Sequence, residues 1–209
     1  SVAGEAAVLF LLKKLSDAER DNDHIYAVIR GFSANHNGFR SNSLASPSSD
    51  GQTEVIVKAI QNAGVNPENI GLIETHGTGT NIGDPIEIKG LSDAFHQFTE
   101  KRAFCSLGAV KSNFGHAGIC AGAVGLLKAV VSLSLKKRYP IANYHQPNRL
   151  IDFENSPFYP QSTLDHWEQS GIRTAGVSSL GLSGTNVFGI LTEYPQQKPE
   201  AETESTAVF

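Results

Sequence analysis

Apolar and polar residues fall in blocks along this chain, and the blocks alternate between a strand-like and a helix-like period. Residues 6–12, Ala-Ala-Val-Leu-Phe-Leu-Leu, form a continuous apolar run, the pattern of a strand buried on both faces. A charged connector over 13–23 precedes a second predicted strand at 25–29. Residues 31–51 are rich in Ser, Asn and Gly and read as a long loop, which in a compact domain marks function or an interaction surface. Val55, Val57, Ala59, Ile60 and Ala63 give a helical stripe over 53–63, and Gly64 suits the position just past its end.

Residues 70–73 predict a strand that runs into a Thr/Gly loop carrying His76. Asp84 fits an N-cap, Pro85 a first helical position and Glu87 the far side of a capping box, so a helix is predicted from there to about Phe95. Residues 104–110 predict a strand, followed by Lys111-Ser-Asn-Phe-Gly-His116 and an apolar helix over 117–135. A short strand at 138–142, an ordered surface excursion with three Pro over 143–162, a strand at 174–179, a Gly-rich turn and a last strand at 187–192 complete the pattern. Strands alternating with helices imply an α/β fold with a layered core. Residues 1–194 read as one domain portion and 195–209 as a polar, disordered tail.

Composition narrows the picture. With 209 residues the chain can bury a real core, and 17 basic against 21 acidic residues leave a net charge of −4. That balance gives no electrostatic footprint for nucleic acid. Lys128 near the middle of the apolar helix is costly in lipid, so the helix reads as part of a globular protein with no membrane contact. Two Cys, Cys105 and Cys120, cannot form a disulfide framework and fit a reducing, cytoplasmic compartment. Ser1 is followed by no basic n-region of a signal peptide, and a chain starting at Ser without any Met reads as a processed or excised piece.

The candidate chemistry lies in two similar settings. His76 and His116 each follow a predicted strand, and ligands in α/β sheets collect at the carboxyl ends of strands. Gly77, Gly79 and Gly115 let the backbone turn sharply, Thr78 and Thr80 put hydroxyls beside His76, and Lys111 lies five residues before His116. No Asp or Glu stands near either His at metalloprotease spacing, so no metal site is predicted. At a helix N-terminus His116 stays neutral, and a neutral imidazole can donate its N–H to a carbonyl that becomes an enolate.

Glu74-Thr-His-Gly-Thr-Gly-Thr-Asn-Ile-Gly-Asp-Pro-Ile-Glu87 resembles the ketosynthase signature of polyketide and fatty-acid synthases. Val110-Lys-Ser-Asn-Phe-Gly-His116 resembles that family's second histidine motif, and Ser178-Ser-Leu-Gly-Leu-Ser-Gly-Thr-Asn186 its C-terminal glycine-rich motif. The similarity is to modular bacterial polyketide synthases. It implies a thiolase-like α/β/α/β/α layered fold, of which this chain covers the last strands of the N-terminal half and the C-terminal half. It further implies decarboxylative Claisen condensation of an acyl thioester with malonyl on an acyl carrier protein. In that reading His76 and His116 bind the malonyl thioester carbonyl, and Lys111 orients His116 or helps electrostatically. Thr78, Thr80 and Asn113 contact the phosphopantetheine arm. Leu180 gives an oxyanion-hole N–H, with Gly181 beside it. No cofactor is bound directly. The implied partners are an N-terminal ketosynthase half, the acyl carrier protein and, for the assembled domain, a second copy in a homodimer.

The family's nucleophilic Cys lies upstream of these motifs, and Cys105 and Cys120 read as packed thiols. Gly118 stands where an acidic residue is usual, Leu180 where Phe is, Phe188 where His is, and Gly4-Glu5-Ala6 replaces Gly-Glu-Gly. Asp84 and Glu87 are explained by helix capping, and His24, His36, His96, His145 and His166 as surface residues. Two alternatives stand beside the condensing enzyme: a non-elongating module for carrier docking or dimerisation, and, remotely, a His-based metal hydrolase.

Overall fold

A computed structural model describes residues 2–41, 43 and 46–195. In chain order the elements are α1 (Leu15–Arg20), β1 (Val28–His36), α2 (Ser49–Ala63), β2 (Ile70–Glu74), α3 (Gly83–Phe95), β3 (Cys105–Gly108), α4 (Lys111–Phe114), α5 (Ala121–Leu135), β4 (Lys137–Arg138), β5 (Phe158–Pro160), β6 (Asp165–His166), β7 (Thr174–Leu180) and β8 (Thr185–Thr192). Six strands form one mixed sheet in the order β1-β8-β7-β2-β3-β5, and β4 pairs with β6 in a small ribbon. Strands β7, β2, β3 and β5 are parallel, whereas β1 and β8 run antiparallel to their neighbours.

Helices cover both faces of this sheet. Val55, Ile56, Ile60, Leu91 and Phe95 of α2 and α3 pack with Ile73, Leu107, Phe158 and Phe188. On the opposite face Ala129 and Leu133 of α5 pack with Leu72, Val177, Leu191 and the buried Trp167. The central strands are buried on both sides, which is why residues 70–74 lack alternation. The result is helix, sheet and helix, three layers of the predicted layered architecture.

Local signals set most boundaries. Ser48 Oγ accepts from Gly51 N at 3.2 Å to start α2, and Gly64 ends it in the left-handed region at φ 62°. Four expectations need correction. Residues 6–12 form no strand, and Leu9 and Leu11 are 96% and 98% exposed. A run buried on both faces needs hydrogen-bonding neighbours, and no described strand supplies them. Residues 15–20 of the connector are helical, since Lys14 O accepts from both Asp17 N and Ala18 N. The predicted strand at 25–29 begins at Val28 and continues through the Ser/Asn-rich stretch to His36, because β8 pairs along its whole length. The excursion over 143–162 contributes β5 to the sheet edge. Residues 196–209 of the predicted tail lie outside the described residues.

The segment Gly118–Leu135 is long and apolar enough to cross a membrane by length and composition. One face of it is nonetheless packed on β7 and β2, and Lys128 is paired at 3.0 Å with the buried Glu74.

Candidate active site

Strands β3, β2 and β7 end side by side, so three sequence-distant turns meet at one sheet edge. His76 follows β2, Lys111 and His116 follow β3, and Leu180 closes β7. The two imidazoles stand edge to face with ring centroids 5.6 Å apart. The predicted pair is therefore a pair in space.

Each ring is held from its Nδ1 side. Gly118 N donates to His116 Nδ1 at 3.1 Å, and Leu180 N donates to His76 Nδ1 at 3.3 Å. An imidazole nitrogen that accepts a hydrogen bond carries no proton, so the donor pattern assigns the Nε2–H tautomer to both rings. Both sites then present one N–H each. The Leu180 N–H, expected in an oxyanion hole, is directed at His76 instead. Gly181 lies in the turn, donating to Thr185 O at 2.7 Å.

Lys111 sits with His76 and not with His116 as expected. Its Nζ donates to the His76 carbonyl and lies 3.5 Å from His76 Nδ1. The reason is the β2–β3 pairing, which sets the turn after β3 against the residue that follows Glu74. Burial pushes the ammonium below its ordinary range, while the carboxylates of Glu87, Glu74 and Asp84 draw it back up. Burial, then Lys111 and His116, push His76 down to about 3. His116 is also lowered, by burial first and Lys111 second. Its neutrality thus comes from its surroundings, since α5 starts only at Ala121 and a 3-10 turn, Gly118–Cys120, intervenes.

The linkage has a definite sign. Above the ordinary imidazole value of 6.5 the folded and unfolded chains are both neutral at His76. As pH falls below 6.5 only the unfolded chain takes up the proton, so stability drops until about 3, where folded His76 is protonated too. Denaturant midpoints measured at several pH values should fall across this window, and His76→Gln should flatten that fall. An identical slope in the variant would refute the assignment.

Asp84 and Glu87 do not cap α3, which starts at Gly83 with Gly83 N donating to Thr80 Oγ1 at 3.1 Å. Glu87 is buried and accepts from His76 N at 2.6 Å and Gly77 N at 2.9 Å. Asp84 accepts from Gly79 N at 3.1 Å. A capping box competes with the orphan N–H groups of the Thr/Gly loop, and the loop wins both carboxylates. Burial raises both above the usual carboxylate range, opposed by these same backbone bonds.

Residues 2–4 hold the second histidine. His116 N donates to Val2 O at 2.7 Å, and Gly4 N donates to His116 O at 3.0 Å. A Cβ at Gly4 would lie 2.1 Å from Phe114 O, so only glycine allows this approach. Gly118 has φ +56°, so the acidic side chain usual there would be strained at this backbone. Phe188, where His is usual, is fully buried against Gly176.

A cleft of about 1120 Å³ opens on the Lys111 and His116 side of the site, and Thr78, Thr80, Lys111, Asn113 and His116 line it with Tyr144 of the excursion, whereas His76, Leu180 and Gly181 do not line it. Its wall thus offers hydroxyl, amide and N–H groups beside apolar surface. Cys105 is buried in the core, where burial pushes the thiol up, and Cys120 is half-buried in the 3-10 turn rather than within the helix. Neither lines the cleft. Five further histidines, at 24, 36, 96, 145 and 166, are exposed as expected.

Residues 26–145 match the family description "Beta-ketoacyl synthase, C-terminal domain". The chain belongs to the β-ketoacyl synthase family. This ketosynthase chain is 43% identical over 211 residues to polyketide synthase PksL of Bacillus subtilis, covering 96% of the chain and 5% of that protein. It is 40% identical over 209 residues to the mycocerosic acid synthase-like polyketide synthase of Mycolicibacterium smegmatis, covering 98% of the chain and 10% of the relative. Among solved structures, the ketosynthase from module 6 of the bacillaene synthase of Bacillus subtilis superposes with TM-score 0.84 at 41% identity, over 87% of this chain and 33% of that one. The ketosynthase from module 1 of the bacillaene synthase of Bacillus amyloliquefaciens gives TM-score 0.85 at 40% identity, over 88% and 34%. The thiolase-like fold is therefore shared, and the chain spans about a third of the ketosynthase chains it matches.

Proposed function

We propose that this ketosynthase chain supplies the decarboxylating half of a polyketide-condensing site. The observation that carries this is the pair of Nε2–H imidazoles, 5.6 Å apart and both biased to neutrality. A malonyl thioester on the phosphopantetheine arm of an acyl carrier protein places its thioester carbonyl between the two N–H groups. The bond from the α-carbon to the carboxylate breaks, CO₂ leaves, and the electron pair becomes an enolate whose oxygen both donors stabilise. The enolate carbon attacks the acyl thioester on the nucleophilic Cys, a carbon–carbon bond forms, and the thiolate departs.

In this reading another segment of the polypeptide, or another chain, supplies that Cys. The exposed Leu9, Leu11, Phe114 and Ile119 and the half-open outer face of α5 fit a surface covered by that segment. Thr78, Thr80 and Asn113 guide the pantetheine arm down the cleft. Lys111 fixes the His76 loop and favours the anionic malonyl group. Leu180 N–H selects the His76 tautomer. The assembled ketosynthase acts as a cytoplasmic homodimer.

Coexpression with a Cys-bearing ketosynthase half tests this directly. The expected result is a stable complex that releases CO₂ from malonyl-carrier protein and lengthens a preloaded acyl chain by two carbons. Loading of the Cys without CO₂ release would instead favour the non-elongating module.

A further inference from the structure

Beneath the site lies a charge pair that the mechanism does not use. Glu74, the last residue of β2, is fully buried, and the Lys128 side chain on α5 is 12% exposed. Glu74 Oε1 accepts from Val110 N at 2.5 Å, and Oε2 faces Lys128 Nζ at 3.0 Å. Neither Oε2 nor Nζ makes a hydrogen bond to any other described residue. A Cβ at Gly108 would lie 2.4 Å from Oε2 and 3.0 Å from Nζ, so the space for the pair depends on that glycine.

A buried ion pair adds little net stability over apolar residues of similar volume. Stability alone therefore does not account for two charges in the packed layer between sheet and helix. Their position does. Glu74 lies two residues before His76, and Val110 directly precedes Lys111. The same strand ends are tied again where Thr75 N and Oγ1 both donate to Gly108 O, at 2.9 and 2.8 Å.

Resting on the functional reading above, we infer that Glu74 and Lys128 form a positioning pair that sets His76 against Lys111. Lys128 aims the carboxylate, and the carboxylate fixes the turn after β3 to the end of β2. Neither residue touches substrate.

Two double variants of the assembled ketosynthase separate positioning from packing. Glu74→Gln with Lys128→Met removes both charges but keeps an acceptor for Val110 N–H. Glu74→Leu with Lys128→Met removes the acceptor too. With malonyl-carrier protein as substrate, the Leu/Met variant should lose about 10- to 100-fold in kcat for decarboxylation at nearly unchanged KM, as expected for a displaced catalytic group. The Gln/Met variant should recover only part of that loss, because it keeps the acceptor for Val110 N–H but not the cation that aims it. A purely structural role would make kcat follow the melting temperature in both.

Gly108→Ala displaces the carboxylate without deleting a polar atom, and should also lower kcat alone; it serves if the Leu/Met protein does not fold. The imidazole ¹⁵N resonances of His76 give a readout that needs no turnover. The Nε2–H signature should weaken in Gln/Met and give way to mixed tautomers in Leu/Met and Gly108→Ala. A wild-type protein that releases no CO₂ but shows this spectral pattern overturns the functional reading and supports the positioning pair. Folded Leu/Met or Gly108→Ala protein with wild-type kcat and wild-type His76 resonances overturns the pair.

Discussion

Replacing His76 or His116 by Ala will cut malonyl decarboxylation by the assembled ketosynthase severely and leave acyl loading of its Cys intact. Both rings offer only an Nε2–H, because their Nδ1 atoms are occupied by Leu180 N–H and Gly118 N–H. Removing one preorganised donor to a developing oxyanion costs on the order of 100- to 1,000-fold in rate. The two donors act on one oxygen, so the double variant should lose far less than the product of the single losses. Loading uses the Cys and its acyl donor, and neither histidine is needed to hold a malonyl group there. Mass shifts on the carrier-bound thioester report decarboxylation, and intact mass of the Cys-bearing chain reports loading. Decarboxylation at the wild-type rate in both single variants would remove the histidines from the mechanism. Equal loss of loading would mean that they act earlier, in forming the acyl-enzyme.

The histidine pair is legible in the sequence because its logic is topological. Two His after two strands become neighbours when those strands are parallel and adjacent, as β2 and β3 are. The α2 stripe and its Gly64 stop are legible for a different reason, since both signals are local. Where local rules compete with distant partners, sequence reasoning fails. The Ser/Asn-rich stretch after residue 30 has weak strand propensity, yet Phe32 pairs with Gly189 and Asn35 with Asn186. The apolar run at 6–12 shows the reverse: strong strand character with no pairing neighbour among the described residues. Spacing along the chain points Lys111 at the nearer histidine, but the β2–β3 pairing delivers it to the more distant one.

Two further signals lie in the sequence. Glu74 ends an apolar strand and Lys128 interrupts an apolar helix. Opposite charges isolated in two buried elements are costly alone, so their pairing follows from that cost. Asp84 and Glu87 are harder. A capping box explains them completely at the level of sequence, and nothing local indicates that the loop before the helix takes both carboxylates.

That loop makes Glu87→Gln the sharper test of how the site is held. The substitution keeps the shape of the side chain and changes its hydrogen-bonding sense. The carboxylate presents an acceptor oxygen to His76 N–H and another to Gly77 N–H, at 2.6 and 2.9 Å. Gln has one oxygen, so its NH₂ must face one of these two donors. Leaving a buried donor unsatisfied costs about 1–3 kcal/mol. The loop can escape only by moving His76. We expect the Gln variant to lose about 1–3 kcal/mol in denaturant unfolding, the desolvation cost of one unpaired group. It should also lose about 10- to 100-fold in decarboxylation, through misplacement of the imidazole. Glu87→Ala leaves both donors without a protein acceptor and should be worse on both counts. A capping role predicts a different outcome: Gln also serves at that position of a capping box, so stability and rate would be nearly unchanged. Wild-type unfolding and wild-type turnover in Glu87→Gln would return the residue to helix capping and leave the Thr/Gly loop held by Asp84 and Lys111 alone.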